Sequence, residues 1–253
     1  MAMLMLAVFG AATLVFVASR MRESIRQRQP NATRLRPLLA NGWAIVQHPT
    51  FIAYVCLTAG TYAGLYTFLS ASSFVLIDGL GVSRLGYSAV LSGGALSYLV
   101  GTFICRIWLA RFGIRGAVRR GAVLTLAGGL LMTACALIGW HPLWVILLAQ
   151  WLYTAGHGVH QSCGQAGVVG PFPTRAGAAS ALSGFVLSAA AFGMGWLLGR
   201  VMDGTGASLI PMACGMGAWA VFTAVVGWTL VQRHGEPHPS AAHSLAIEES
   251  PPQ

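Results

Sequence analysis

Long apolar runs alternate along the chain with short arginine-bearing segments, and that alternation predicts the elements. Seven runs, near 2–19, 49–70, 86–105, 119–139, 142–163, 176–199 and 208–231, are long enough to span a hydrocarbon core, which takes about 20 apolar residues in a helix. No water reaches that core, so backbone groups must be satisfied within each segment, and each run reads as a helix rather than an open strand. The glycines scattered through the runs fit this reading, because small residues let membrane helices approach closely. The predicted fold class is an all-α integral membrane protein with about seven transmembrane helices.

Composition supports the same medium. Of 253 residues, 56% are hydrophobic and only 8% are charged, whereas a soluble domain carries about 25% charged residues. Too little polar surface is left to coat a water-soluble globule. The net charge of +9 would suit a nucleic-acid binder, but the placement of the charges excludes that class. Every basic residue is arginine, and the arginines cluster between apolar runs. Arg20, Arg22, Arg26, Arg28, Arg34 and Arg36 follow the first run, and Arg106, Arg111, Arg115, Arg119 and Arg120 follow the third. Arg175 and Arg233 follow the fifth and seventh, and the alternate loops hold only Arg84 and Arg200. The positive-inside rule then puts the arginine-rich loops and the C-terminus in the cytoplasm and the N-terminus outside.

The ends and the cysteines add little chemistry. The chain opens "MAMLMLAVFG", inside an apolar run and without the positive n-region of a signal peptide, so 1–19 reads as a true span. Residues 232–253, "QRHGEPHPSAAHSLAIEESPPQ", cannot bury a core and read as a disordered cytoplasmic tail. His234, His238 and His243 read there as solvated side chains rather than metal ligands. Cys56, Cys105, Cys135, Cys163 and Cys214 lie on different runs without paired spacing. They behave as small hydrophobes and suggest neither a disulfide framework nor a zinc site. "NAT" at 31–33 matches a glycosylation acceptor but falls in a cytoplasmic segment.

Three stretches carry a family likeness: "TAGTYAGLYTFLSASSFVLIDGLGVS" at 58–83, "GTFICRIWLARFGIRGAVRRG" at 101–121 and "PFPTRAGAASALSGFVLSAAAFG" at 171–193. Together they resemble the C-terminal half of the Bcr/CflA-type multidrug transporters, a branch of the major facilitator superfamily. The proline-led "AG-AS-L-G" turn of the third stretch is the most specific. "SRMRESIRQRQP" at 19–30 resembles the end of that fold's sixth helix entering the central cytoplasmic loop. The resemblance covers about residues 1–232 and implies that the seven runs are helices six to twelve. Residues 1–19 are then a lone helix ending the N-terminal half, 20–48 the central loop, and 49–231 the six-helix C-terminal half. It also implies a gating loop at Arg106, Arg111 and Arg115, although Ala110 stands where the fuller loop motif carries Asp. The other half of the substrate cavity is then missing, to be supplied by an N-terminal half or by a homodimer partner. "MAMLM" inside a span suits a start placed within a longer reading frame, or a truncated chain.

In that geometry, spans two and five line the central cavity. Span two offers Thr58, Tyr62 and Tyr66 at helical spacing. Span five, within "AQWLYTAGHGVHQSCG", offers Gln150, Thr154, His157 and Gln161 at offsets of four, seven and eleven, flanked by Tyr153 and His160. Tyr62, Tyr66, Gln150, Thr154, His157 and Gln161 are therefore the candidate substrate-binding residues. Pumps of this kind take small lipophilic, often cationic compounds in aromatic pockets with few polar anchors. Span six adds Phe185, Phe192 and Trp196, for which helix packing or lipid contact is the stronger reading.

An ionisable side chain inside a bilayer is costly and is a functional hypothesis by default. For His157 and His160, proton coupling, cavity lining and plain hydrogen-bonded packing all stay open. Histidine titrates near neutral pH, and none of the six acidic residues lies at a span centre. A metal site is weakest, since no carboxylate or cysteine completes a shell. Gly60 with Gly64, and Gly195 with Gly199, suit either dimerisation or packing within one bundle.

The leading expectation is a secondary transporter exchanging drugs for protons in the inner membrane, with the lipid bilayer and small lipophilic or cationic substrates as partners. No cofactor, metal or nucleic acid is implied. A non-transporting fragment or interaction subunit is the alternative. A seven-helix receptor explains less of the sequence, and a retinal protein is excluded because the chain has no lysine for the Schiff base. No nucleophile–base constellation or phosphate loop suggests an enzyme.

Overall fold

The computed structural model describes residues 2–20, 35–205 and 208–235, and its regular structure is all helical, with no strand among the described residues. The chain divides into two units, Met1–Ala40 and Asn41–Gln253. In the first unit α1 (Ala2–Arg20) is one uninterrupted apolar helix with Arg20 in its last turn, where a positive charge complements the helix dipole. α2 (Leu35–Val46) begins in this unit and ends in the second, where Ile45 is fully buried. The expected loop 20–48 therefore contains a helix. Arg22, Arg26, Arg28 and Arg34 lie outside the described residues.

The second unit holds the remaining elements. α3 (Pro49–Ser73) opens on a proline at its first turn, where a missing N–H is no loss. It runs past the expected end at 70 into a π-helical stretch, Phe74–Gly79. α4 (Arg84–Ile138) is capped by Ser83, whose hydroxyl accepts from the Gly86 N–H, and ends at Gly139 in the left-handed region. Its 55 residues would reach about 80 Å as a straight helix at 1.5 Å each, far beyond a bilayer core of about 30 Å. Gly113 interrupts it with φ 66° and ψ −178°, a conformation that side chains with a Cβ rarely adopt.

The arms on either side of Gly113, 84–112 and 114–138, both lie along α5 (Leu143–Val169). Gly93 and Cys105 of the first arm meet Trp151 and Cys163, so that arm runs parallel to α5. Gly121 and Gly128 of the second arm meet His160 and Ala149, so that arm runs antiparallel. The runs 86–105 and 119–139 are thus two arms of a hairpin, and the expected arginine loop between them is helical up to one glycine.

A 3₁₀ turn at Pro173–Arg175 leads into α6 (Ala176–Thr205), followed by α7 (Leu209–Trp228) and the short α8 (Leu230–His234). The segment expected as tail starts with ordered residues. The Gln232 amide donates to the carbonyls of Arg115 (3.1 Å) and Gly227 (2.9 Å), and the Tyr54 hydroxyl donates to the Gly235 carbonyl at 2.7 Å. Residues 236–253, with His238 and His243, lie outside the described residues.

Five helical stretches are long and apolar enough to cross a membrane: Met3–Arg20, Pro49–Gly79, Arg84–Ile138, Pro173–Asp203 and Leu209–His234. α5 falls outside that set because Gln150, His157, His160, Gln161 and Gln165 lower its hydropathy. The core of the second unit forms two apolar clusters. One gathers Phe68, Leu76, Met132, Ile146 and Met212, and the other Phe51, Tyr54, Leu57, Val118 and Val159. Between them, at the middle of α3, α4's second arm and α5, lies a layer of buried polar side chains that includes Thr61, Thr125, His157 and His160.

Candidate binding cavity

α5 is seated by backbone-to-backbone contacts that only glycine permits. A Cβ at Gly101 would strike the Ala155 carbonyl, and one at Gly158 would lie 2.6 Å from the Tyr98 carbonyl. The pair Gly60 and Gly64 is used up inside the bundle: Phe222 and Thr223 fill the space at Gly60, and Tyr153 and Trp219 that at Gly64. Gly195 faces Tyr66, while Gly199 has no neighbour within 4 Å.

With α5 in this seat, a cavity of about 670 Å³ opens between α3, the first arm of α4, and α5. Tyr62, Gln150, Thr154, His157 and Gln161 all line it, so five of the six candidate substrate-binding residues share one wall. Tyr66 is not part of that lining. It stands one turn along α3 from Tyr62, with ring centroids 6.4 Å apart. Thr58 is fully buried and turns its hydroxyl back to the carbonyls of Tyr54 and Val55. Phe185, Phe192 and Trp196 are 60% or more exposed on α6 and contribute nothing to the cavity.

The two histidines part company. The His157 Nδ1 lies 3.0 Å from the Thr61 hydroxyl, and its ring sits between Tyr62 (6.2 Å) and Tyr98 (5.7 Å). Thr61 is fully buried, and among the described residues its hydroxyl has no other acceptor. Satisfying that hydrogen makes Thr61 the donor and Nδ1 the acceptor, which leaves the proton of the neutral ring on Nε2. The Thr61 carbonyl also accepts from Tyr153 at 3.1 Å, so Thr61 ties α3 to α5 twice. His160 points elsewhere. Its Nε2 lies 3.4 Å from the Val118 carbonyl and its Nδ1 3.4 Å from the Thr125 hydroxyl, both on the second arm of α4. It is fully buried and does not line the cavity.

Thr154 and Gln150 form a small closed unit. The Thr154 hydroxyl donates to the Gln150 carbonyl at 2.7 Å and accepts from the Gln150 amide nitrogen at 3.1 Å. Gln150 Oε1 and Gln161 Oε1 are buried with no hydrogen-bond partner. The rest of the wall is apolar or aromatic, with Leu65, Phe68, Val90 and Leu99 among its members, and it carries no charged side chain.

Three contributors were not legible in the sequence. Tyr98 and Gly94 come from α4, and Thr61 positions the His157 ring from α3. Their spacing within their own helices is unremarkable, and only the neighbouring helix gives them a role. Arg106 and Arg111 are exposed, Arg115 is half-buried, and all three are remote from the cavity lining. Around them, backbone carbonyls hold the end of the bundle: Arg119 accepts from the Trp228 indole at 3.1 Å, and Arg115 from Gln232. Among the described residues no group of three or more His, Cys, Asp or Glu side chains could hold a metal ion. Compared with known proteins, the chain matches no family model, no curated protein and no solved structure.

Proposed function

We propose that this chain is the C-terminal half, with one preceding helix, of a major facilitator secondary transporter of the Bcr/CflA-type multidrug efflux branch. In this reading it exchanges small lipophilic or cationic compounds for protons across the bacterial inner membrane. Its arginine-rich ends lie in the cytoplasm and its N-terminus lies outside. The carrying observation is the cavity of about 670 Å³ inside the helix packing. Its size and its mostly apolar wall with a few polar groups suit a drug-sized organic molecule. His157 supplies the titratable group on that wall, next to two tyrosines whose faces attract cations. In the fold that the resemblance implies, the opposite wall comes from the other six-helix half or from a second copy of this chain.

The test uses Gly94, which lines the cavity and whose Cβ would meet nothing within 4 Å. Gly94→Phe fills the cavity without pushing a helix aside. Proteoliposomes carrying the wild-type chain, alone or with a major facilitator N-terminal half, are expected to move ethidium when a proton gradient is imposed, and Gly94→Phe is expected to stop it. Absence of gradient-driven movement under both conditions, or movement indifferent to Gly94→Phe, overturns the transporter reading.

A further inference from the structure

Gln150 is 3% exposed, so every polar atom of its amide needs a partner. Its orientation is settled by Thr154. That hydroxyl spends its only hydrogen on the Gln150 carbonyl at 2.7 Å, so its oxygen can only accept from the side chain. The atom 3.1 Å away must therefore be the amide nitrogen, and turning the amide over would set two acceptors against each other. Oε1 is left buried and without a donor. Such a group is costly in a folded chain, and leucine would fill the same space without that cost. The surrounding wall offers no cationic side chain, while Gln150 itself lines the cavity. The missing donor is thus one that an occupant can bring.

Resting on the cavity's proposed role as the substrate site, we infer that it selects amino-bearing lipophilic compounds, whose N–H donates to Gln150 Oε1. The flat apolar body of such a compound lies along the rings of Tyr62 and Tyr98, which flank His157 at 6.2 and 5.7 Å. A lipophilic cation without N–H groups gains charge attraction and burial there but nothing from Gln150. Selection by hydrogen-bond donors, rather than by charge alone, is what separates this cavity from a merely greasy pocket.

The experiment compares two lipophilic cations on the purified full chain: ethidium, which carries arylamine N–H groups, and tetraphenylphosphonium, which carries none. Equilibrium binding of each is measured for the wild type, Gln150→Leu and Gly94→Phe, with thermal melting of each apoprotein. Gln150→Leu is expected to weaken ethidium by roughly tenfold and to leave tetraphenylphosphonium within about twofold. Its apoprotein should melt no lower than the wild type, because an orphaned acceptor is gone, and no purely structural role of Gln150 predicts that combination. Should Gln150→Leu fail to fold, Gln150→Met carries the same comparison. If both probes bind and both ignore the substitution, or lose equally, donor selection is overturned while the cavity's role stands. If neither probe binds the wild type, or Gly94→Phe leaves both in place, the cavity reading falls and this inference with it.

Discussion

The seat of α5 decides whether the cavity exists, and Gly128 tests it. A Cβ at this buried position would lie 2.5 Å from the Ala149 carbonyl oxygen and 2.6 Å from the Tyr153 nitrogen. Both are main-chain atoms of α5, so no side chain can swing away to make room. Gly128→Ala forces that contact open from 2.5 Å to at least the 3.4 Å of ordinary packing, on the stretch of α5 that carries Gln150. Overpacking of this kind costs about 1–3 kcal/mol, against a helix-propensity gain of up to about 1 kcal/mol for Ala over Gly. Gly184 on α6, whose Cβ would meet nothing within 4 Å, supplies the control, since Gly184→Ala keeps the gain without the clash. The two variants should differ in stability by about 1–3 kcal/mol, with Gly128→Ala the weaker. The assay is the fraction surviving as a monodisperse peak in size-exclusion chromatography after heating in detergent. Gly128→Ala should lose its peak several degrees before Gly184→Ala, a chain of this length shifting by about 2–4 °C per kcal/mol. Equal melting of the two would refute a helix crossing as close as this one.

The two histidines should separate under mutation. His157→Ala is expected to weaken ethidium binding and to flatten any pH dependence of transport between about pH 5 and 8. His160→Ala should leave binding intact and cost about 2 kcal/mol of stability through lost packing and hydrogen bonds to α4. Equal binding defects in both variants would contradict their different surroundings. In the ligand-free protein, ¹⁵N spectra of the imidazoles should show the Nε2–H tautomer at His157, with the Nδ1 resonance shifting in Thr61→Val. An Nδ1–H signal in the wild type would mean that Thr61 accepts rather than donates.

Much of the architecture was legible because the relevant physics is local. A run of about 20 apolar residues must be helical wherever no water can satisfy the backbone. The spacing of Gln150, Thr154, His157 and Gln161 puts four polar groups along one side of a single helix whatever that helix touches. The helix boundaries were less legible. Arginines between the third and fourth runs suggested a loop, yet arginine is a good helix former, and Gly113 alone turns the chain.

Which residues join the α5 stripe depended on tertiary structure. α3 and α4 are apolar nearly all round, so their sequences hold no preferred face, and only the packing shows that Tyr98 and Gly94 face Gln150 and His157 across a cavity. Phe185, Phe192 and Trp196 repeat on α6 with the spacing of a lining stripe but stand exposed, because an aromatic ring suits an apolar exterior as well as a pocket. The histidines show the limit most closely. His157 and His160 share one helix and, by spacing alone, roughly one side of it. Three residues turn a helix by about 300°, which still leaves their side chains about 60° apart. That angle sends one ring to Thr61 and the cavity, the other to Val118 and Thr125 on the far side. The sequence by itself determined that two ionisable rings sit at mid-helix in an apolar run. The order and rotation of the neighbouring helices, which long-range packing alone sets, decided which of them can meet a ligand.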